Sequence, residues 1–198
     1  MTAAPTDSPP EPVVRRFRTS GGVELVADAW GDESDPVVLL AHGGGQTRHS
    51  WGGTAAVLAR HGWQPISIDL RGHGQSGWST DGDYRFSRFA EDIADVAAQL
   101  DRPAMVGASL GGLTGLLVEG RTDGTFRALV LVDITPRMEP EGVERIMAFM
   151  GETMEHGFAS LEEAADIVAA YNPHRPRTND ARGLAKNLRQ DEDGRWRW

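Results

Sequence analysis

Three short apolar runs in this sequence each lead into a glycine-containing segment, and this arrangement constrains the fold more than any other feature. The runs cover residues 37–41, 64–70 and 104–108, and apolar residues at helical spacing follow each of them. A short continuous apolar run is typical of a strand buried on both faces of a parallel sheet. Strands that alternate with helices build an α/β sheet whose parallel strands end at one edge, where ligands bind. We therefore expect the glycine segments to lie together at that edge.

Two further strand patterns precede these runs. Residues 13–19 and 23–30 are separated by Ser20, Gly21 and Gly22, which is a hairpin signal. The sequence thus predicts an α/β core over residues 13–135, with a mostly parallel sheet, antiparallel first strands and helices on both faces. Residues 1–12 are polar and Pro-rich, and we predict that they form a disordered leader.

The pattern changes at Pro136, and residues 136–198 are predicted to form a partial helical cap. One helix is indicated by apolar residues at helical spacing, namely Val143, Ile146, Met147 and Met150. Ser160 begins a capping box, which predicts a helix from Leu161 to Tyr171. A third helix is predicted to start at Asn179 or Asp180 and to run through Leu188, and no strand pattern follows Asp133.

Composition excludes several functional classes. The chain has no cysteine, which removes disulfides, thiolate metal sites and cysteine catalysis. Its formal charge of −9 argues against nucleic acid binding, which needs a positive surface. No apolar run approaches the ~18 residues of a membrane span, and residues 1–12 contain no apolar signal segment. We therefore expect a cytoplasmic protein with no nucleic acid partner and no membrane span.

The strongest functional signal is a G-x-S-x-G sequence, residues 107–111, between an apolar strand and an apolar helix. In this context it predicts a nucleophile elbow, a turn so tight that Gly107 and Gly111 must be small. The turn places the Ser109 hydroxyl at a helix N-terminus, where the helix dipole favours negative charge. The Leu110 N–H can then point at a developing oxyanion. The alternative is a glycine-rich turn that only packs a strand closely against a helix.

A second segment, His42-Gly43-Gly44-Gly45, follows the run at residues 37–41. Acyl transfer needs a second N–H on the oxyanion, and in this architecture the loop after that earlier strand supplies it. We assign this donor to Gly44, with Gly45 as the alternative, because glycines let the backbone come close. His42 is expected to hold the loop by hydrogen bonds rather than to act as a base. The alternative for the segment is a plain glycine-rich turn.

The third segment, residues 69–76, is expected to be structural. Asp69 and Arg71 are predicted to bond to backbone groups or to each other. We do not expect His73 to be a catalytic base.

Together, the three segments resemble the α/β-hydrolase fold superfamily. The resemblance is to the branch with H-G after the third strand, D-x-R-G-x-G-x-S after the fourth and G-x-S-x-G-G after the fifth, and it covers about residues 13–135. It implies a serine-dependent hydrolase that cleaves a carboxylic ester, lactone or similar bond through an acyl-enzyme, with no metal or organic cofactor. Epoxide hydrolases and haloalkane dehalogenases of this fold carry aspartate at the elbow, so Ser109 counts against both.

The same resemblance implies a triad in the order Ser, acid, His. Asp133 ends the sixth strand pattern and is a candidate for the acid; the alternative is a strand-end cap, because the acid often follows a seventh strand. Only His156 and His174 come after Asp133, and neither follows a strand pattern. We therefore expect the chain to be the N-terminal portion of a longer hydrolase, lacking the last core strands. Such a portion leaves an exposed sheet edge through which copies can associate.

The expected substrate is a small apolar acyl or aromatic compound. Candidates for the pocket wall are the apolar side chains of Trp51, Met147, Phe149, Met150 and Phe158, for which the alternative is ordinary helix packing. Two other functions stay open. One is a catalytically inactive, hydrolase-like binding module, favoured by the missing histidine. The other is a cofactor-free perhydrolase or haloperoxidase-like activity with peroxide as the acceptor.

Overall fold

The computed structural model describes residues 11–134, 139–174 and 176–198. Most of the predicted leader and the predicted boundary between Thr135 and Pro136 lie outside these residues. The chain divides into two units, Met1–Ile134 and Thr135–Trp198, and each is described by itself.

The first unit is a six-stranded α/β sheet with helices on both faces. Its strands are β1 (Val13–Arg18), β2 (Glu24–Ala29), β3 (Val37–Ala41), β4 (Gln64–Ile68), β5 (Ala104–Ala108) and β6 (Ala128–Val132). Its helices are α1 (Gly52–Arg60), α2 (Phe86–Ala98) and α3 (Leu110–Arg121), and a short 3₁₀ turn, Arg48–Trp51, precedes α1. The strand order is β1-β2-β4-β3-β5-β6. β1 and β2 pair antiparallel, β2 meets β4 antiparallel, and the other pairs are parallel. The predicted mostly parallel sheet with antiparallel first strands is confirmed.

The central strands are buried on both faces because helices cover both. Every residue of β3 and β4 is buried. On one face, Leu39 and Ile66 pack with the apolar stripe of α2, which includes Ile93. On the other, Leu40 packs with Ala55 of α1. Each large apolar side chain buried in this way stabilises the fold by about 1.5–3 kcal/mol.

The last strand of this sheet, β6, is only partly buried although all of its residues are apolar. Leu129 and Leu131 are half-buried, whereas Val130 is 51% exposed and Val132 is 38% exposed. β6 is an edge strand, and the face that carries the two valines is the face on which α1 covers the central strands. Within residues 11–134 the apolar character of β6 is therefore only partly buried.

The second unit is mainly helical, with a small hairpin. Its helices are α4 (Pro140–His156) and α5 (Leu161–Tyr171), and its strands are β7 (Arg189–Gln190) and β8 (Trp196–Arg197). The predicted capping box holds, since Ser160 Oγ accepts the Glu163 N–H at 3.1 Å. Asp180 caps a 3₁₀ turn, Ala181–Lys186, instead of the predicted third α-helix. The expectation of no strand after Asp133 was wrong, because the turn at residues 191–194 folds β7 antiparallel onto β8.

The core of the second unit is a small aromatic and aliphatic cluster. Phe158 is fully buried there with Ala164 and Leu188, and its ring meets the edge of Trp198. Phe158 is thus core, which overturns its role as a candidate for the pocket wall. Phe149 stacks on Tyr171 with ring centroids 4.2 Å apart. Among the described residues of both units, no helix combines the length and apolar character that crossing a bilayer requires.

Candidate active site

The turn between β5 and α3 has the strained geometry of a nucleophile elbow. Ser109 has φ 43° and ψ −108°, a conformation that non-glycine residues adopt at a cost of about 1–3 kcal/mol. A Cβ on Gly107 would lie 2.5 Å from the Gly111 carbonyl carbon, and one on Gly111 would lie 2.5 Å from the Ala41 carbonyl oxygen. Both glycines are therefore required by close backbone approach. The Ser109 side chain is exposed at this turn.

Two backbone hydrogen bonds fix the elbow between its neighbours. The Ser109 N–H donates to the Val132 carbonyl at 3.1 Å, and the Gly111 N–H donates to the His42 carbonyl at 3.1 Å. A Cβ built on Gly43 would lie 3.5 Å from Ser109 Cβ. The fold therefore brings together the serine turn and the segment after β3, residues 42–46, which we call the oxyanion loop.

Within the oxyanion loop, side chains hold the amides on either side of Gly44. The Gly43 N–H donates to Gln46 Oε1 at 3.0 Å, and the Gly45 N–H donates to His73 Nε2 at 3.4 Å. Gly45 has φ +69°, a left-handed conformation that favours glycine. Gly44 is exposed, and the space where its Cβ would stand is open. The loop thus presents Gly44 at its surface.

His42 is bonded to backbone at both ring nitrogens. Nε2 accepts the Leu70 N–H at 3.0 Å, so the ring proton is on Nδ1, which lies 2.8 Å from the Gly43 carbonyl oxygen. Burial, with the nearby His73 ring, lowers the pKa of His42 to about 4. The ring is therefore neutral at pH 7 and holds the oxyanion loop against the segment after β4.

His73 makes the reciprocal connection from the segment after β4. Its Nδ1 lies 2.9 Å from the Arg71 carbonyl oxygen, and its Nε2 accepts the Gly45 N–H. Its ring centroid lies 4.9 Å from that of His42. Burial lowers the pKa of His73 as well. With both ring nitrogens bonded to backbone, His73 has no nitrogen available to serve as a base.

Asp69 is a fully buried carboxylate below these loops, and its partner is Arg48. Asp69 Oδ1 accepts the Arg48 backbone N–H at 2.6 Å, and Oδ2 lies 2.5 Å from Arg48 Nη1. Arg48 Nε also lies 2.9 Å from Asp28 Oδ1. Burial alone would lower the pKa of Arg48, but the neighbouring carboxylates of Asp28 and Asp69 raise it. A Cβ on Gly74 would lie 2.2 Å from Asp69 Oδ2, which explains this glycine.

The alternative that Asp69 and Arg71 bond to each other was therefore wrong. Arg71 makes a two-pronged ion pair with Asp92 of α2, through Nε at 2.6 Å and Nη2 at 2.7 Å. Sequence reasoning missed Asp28, Arg48 and Asp92. They lie far apart in the chain, and a charged residue inside a helix or strand pattern carries no local signal of its burial.

Asp133 directly follows β6 at the edge where Ser109 follows β5. β5 and β6 pair in parallel with Ala108 opposite Val132, so the two residues come next in register on adjacent strands. Asp133 is exposed and has φ +54°. A strained residue at a strand end is consistent with a functional position.

None of the four histidines in residues 11–134 forms a hydrogen bond with Ser109, and each has another partner. His42 and His73 are bonded as described, His61 Nδ1 lies 2.8 Å from the Val57 carbonyl on α1, and His49 Nδ1 faces Asp28 Oδ2 at 3.6 Å. In this part of the chain the elbow and the oxyanion loop come together with no histidine bonded to Ser109.

Known proteins are similar in sequence to this chain over most of its length. The chain is 34% identical over 195 residues to the esterase Rv0045c of Mycobacterium tuberculosis, covering 96% of this chain and 63% of that protein. It is 32% identical over 156 residues to a 3-hydroxybutyrate-oligomer hydrolase of Cupriavidus necator, covering 74% of this chain and 52% of that protein. The chain thus spans between half and two thirds of the length of these relatives.

Solved structures are similar to this chain as well. An alpha/beta hydrolase from Novosphingobium aromaticivorans is 28% identical and superposes with a TM-score of 0.81 over 94% of this chain and 67% of that one. The M. tuberculosis esterase superposes with a TM-score of 0.66 over 96% of this chain and 66% of its own. The family model described as alpha/beta hydrolase fold matches residues 36–193. With the serine elbow, the glycine loop and the strand order in place, the chain belongs to the alpha/beta hydrolase fold family.

Proposed function

We propose that this chain carries the nucleophile and the oxyanion-binding half of a serine esterase, which cleaves a carboxylic ester through an acyl-enzyme on Ser109. The observation that carries the proposal is the exposed, positive-φ Ser109 beside the oxyanion loop. The ester bond is supported by relatives named as an esterase and a 3-hydroxybutyrate-oligomer hydrolase. The acyl group is proposed to be small and apolar or aromatic.

The oxyanion donors are proposed to be the N–H groups of Gly44 and Leu110. Leu110 is the first residue of the 12-residue helix α3, whose N-terminal dipole favours negative charge. Gly44 is favoured over Gly45 because the Gly45 N–H is directed to His73 Nε2. Removing one such donor lowers kcat by about 10²–10³-fold in serine hydrolases.

In the proposed reaction, Ser109 Oγ attacks the ester carbonyl carbon and gives its proton to a base. The tetrahedral oxyanion is held by the two N–H groups, and its collapse expels the alcohol, which takes up that proton. Water then attacks the acyl carbon, the bond to Ser109 Oγ breaks, and the carboxylic acid product leaves while Oγ takes back a proton from the water. Asp133 is our candidate for the acid that orients the base. We do not assign the base to residues 11–134, since their histidines are engaged elsewhere.

A fluorophosphonate probe tests the nucleophile directly. The purified chain is expected to take up one equivalent of the probe at Ser109, as located by peptide mass spectrometry. Ser109→Ala should abolish labelling. Ser34→Ala, an exposed turn serine before β3, is the matched control and should label like the parent. Labelling that survives Ser109→Ala would contradict the proposal.

A second candidate function is a hydrolase-like binding module, which the engaged histidines favour. Turnover of p-nitrophenyl acetate and of longer esters separates the two candidates. An esterase gives turnover that Ser109→Ala removes. A binding module instead binds a slowly cleaved ester or its acid with defined stoichiometry, and shows no turnover above that of the Ser109→Ala chain.

A further inference from the structure

His42 and His73 form a reciprocal pair between two loops. His42 lies on the oxyanion loop and accepts an N–H from Leu70, which follows β4. His73 lies on the segment after β4 and accepts an N–H from Gly45 of the oxyanion loop. Because each Nε2 is an acceptor, each ring must carry its single proton on Nδ1, and both Nδ1 atoms face carbonyl oxygens, at 2.8 and 2.9 Å.

The two rings form hydrogen bonds with the two peptide groups on either side of the Gly44 Cα, one ring with each group. The His42 Nδ1–H bonds the Gly43 carbonyl, which belongs to the same planar peptide as the Gly44 N–H. In a trans peptide the carbonyl and the N–H point in opposite directions. Holding this carbonyl inward therefore turns the Gly44 N–H outward. Gln46 N–H donates to the same carbonyl at 3.2 Å and reinforces the orientation.

The peptide group between Gly44 and Gly45 is held by its N–H instead of its carbonyl. Its N–H is that of Gly45, which His73 Nε2 accepts. Glycine has no Cβ and adopts a wider range of backbone torsions than other residues, so a run of three glycines would otherwise sample many orientations. Without such side-chain anchors on both flanking peptides, the direction of the Gly44 N–H would be poorly defined.

We infer that His42 and His73 are positioning residues that hold the Gly44 N–H in the direction an oxyanion needs, and do so only while both rings are neutral. Protonation would place an N–H on Nε2, facing the N–H of Leu70 or Gly45, and would break the connection. The inference rests on the proposed role of Gly44 and concerns the control of that site.

The groups around His42 and His73 determine the protonation state of the two rings. His73 faces His42 at 4.9 Å, the buried Asp69 and, from α2, the edge of Phe89. Asp69 is itself paired with Arg48. For His73, burial lowers the pKa, while the Arg71 carbonyl and the charge of Asp69 act in the opposite direction and do not overcome it. The pair is therefore neutral at pH 7 and protonates only under acid conditions.

The first test is NMR of the full chain with ¹⁵N-labelled histidine and glycine. At pH 7 both rings should show the neutral form with the proton on Nδ1. His73→Phe, which removes the acceptor, should shift the amide resonances of Gly44 and Gly45. His73→Gln, whose side-chain oxygen can accept the same N–H, should leave them near their original positions. The control His61→Gln, on the far end of α1, should shift neither. Unchanged Gly44 and Gly45 amides in His73→Phe, or a proton on Nε2 of His73 at pH 7, would overturn the inference.

The second test links the pair to Ser109. The rate of fluorophosphonate labelling should fall by about tenfold in His73→Phe, since a small misplacement of a reacting group is costly. His73→Gln should recover most of the rate, and its rate should fall less on acidification than that of the parent, because only His42 remains to be protonated. A His73→Phe rate equal to that of the parent would overturn the inference.

If the parent chain does not label, the proposed function fails, and the amide shifts still decide the role of the pair. Should His73→Phe fail to fold, the His73→Gln pH profile and the parent titration carry the test.

Discussion

Gly111 donates its backbone N–H to the carbonyl of His42 at 3.1 Å, and its Cα faces the Ala41 carbonyl so closely that a Cβ would stand 2.5 Å from the oxygen. This contact joins the helix after Ser109 to the loop that carries the proposed oxyanion donor. Gly111 and the backbone of Ala41 and His42 therefore form one junction, and the distance between Ser109 and the oxyanion loop depends on it.

Replacing Gly111 by alanine should destabilise the chain by about 3 kcal/mol or more, because the new methyl group meets backbone that cannot rotate away. Gly120→Ala provides the matched control in the same helix. Nothing lies within 4 Å of a Cβ there, so removing glycine flexibility should stabilise the helix by about 0.5–1 kcal/mol. Urea unfolding followed by circular dichroism measures both. Equal midpoints for the two variants would contradict the close approach at Gly111.

Ser109→Gly should stabilise the fold while removing the proposed nucleophile. The φ of 43° costs a serine about 1–3 kcal/mol and costs a glycine little, although glycine gives back part of this through unfolded-state entropy. We expect a net gain of about 1 kcal/mol with complete loss of labelling. Ser109→Ala keeps the strain and should show no such gain. A Ser109→Gly chain less stable than Ser109→Ala would argue against backbone strain at the elbow.

The free energy of unfolding should fall as the solution is acidified from pH 6.5 towards pH 4. The pKa of His42 is lowered to about 4 in the folded chain, mainly by burial, against about 6.5 in the unfolded chain. Between these values the unfolded state binds the additional proton, so the stabilisation is complete above pH 6.5 and is lost as pH falls through about 4.

NMR titration of the His42 ring gives the direct measurement of this effect. Its midpoint should lie near 4. A His42 midpoint at the ordinary value near 6.5 would show that the ring is not held as a buried acceptor.

Arg48→Met should destabilise the chain by about 3–5 kcal/mol, since it leaves Asp28 and Asp69 buried without their cation. The control is Arg182→Ala, which breaks the exposed pair with Asp180 and should leave the unfolding midpoint unchanged. Thermal and urea unfolding test both variants. A small effect of Arg48→Met would mean that the buried carboxylates become protonated at low cost.

The exposed face of β6 should promote association between copies of this chain. Val130 and Val132 present apolar surface on an edge strand, and unprotected edges of this kind pair readily. Val130→Lys should lower the associated fraction measured by sedimentation velocity. Val57→Lys, at an exposed position of α1, controls for the added charge and should have no effect. A chain that stays monomeric at high concentration would contradict this prediction.

The local sequence pattern was sufficient to predict most of the strands and helices of the first unit. The run at residues 104–108 and the helix that follows it were placed correctly because a buried strand, a tight glycine turn and an apolar helix each have a short-range signature. The Ser160 cap and the helix ending at Tyr171 were found for the same reason. The short strands β7 and β8 were missed because two-residue strands have no periodicity to detect.

The sequence alone therefore determined which residues form the elbow and the oxyanion loop, because tight turns and close backbone approach demand glycine at fixed positions. The partners of the charged and imidazole side chains were decided by the assembled sheet. Asp69 pairs with Arg48 and Arg71 with Asp92, and His73 reaches Gly45, because β4, β3 and α2 bring together residues that are distant in the chain. Ion pairs and hydrogen bonds depend on distances of a few ångströms across such neighbours, and no periodicity along a single chain encodes them.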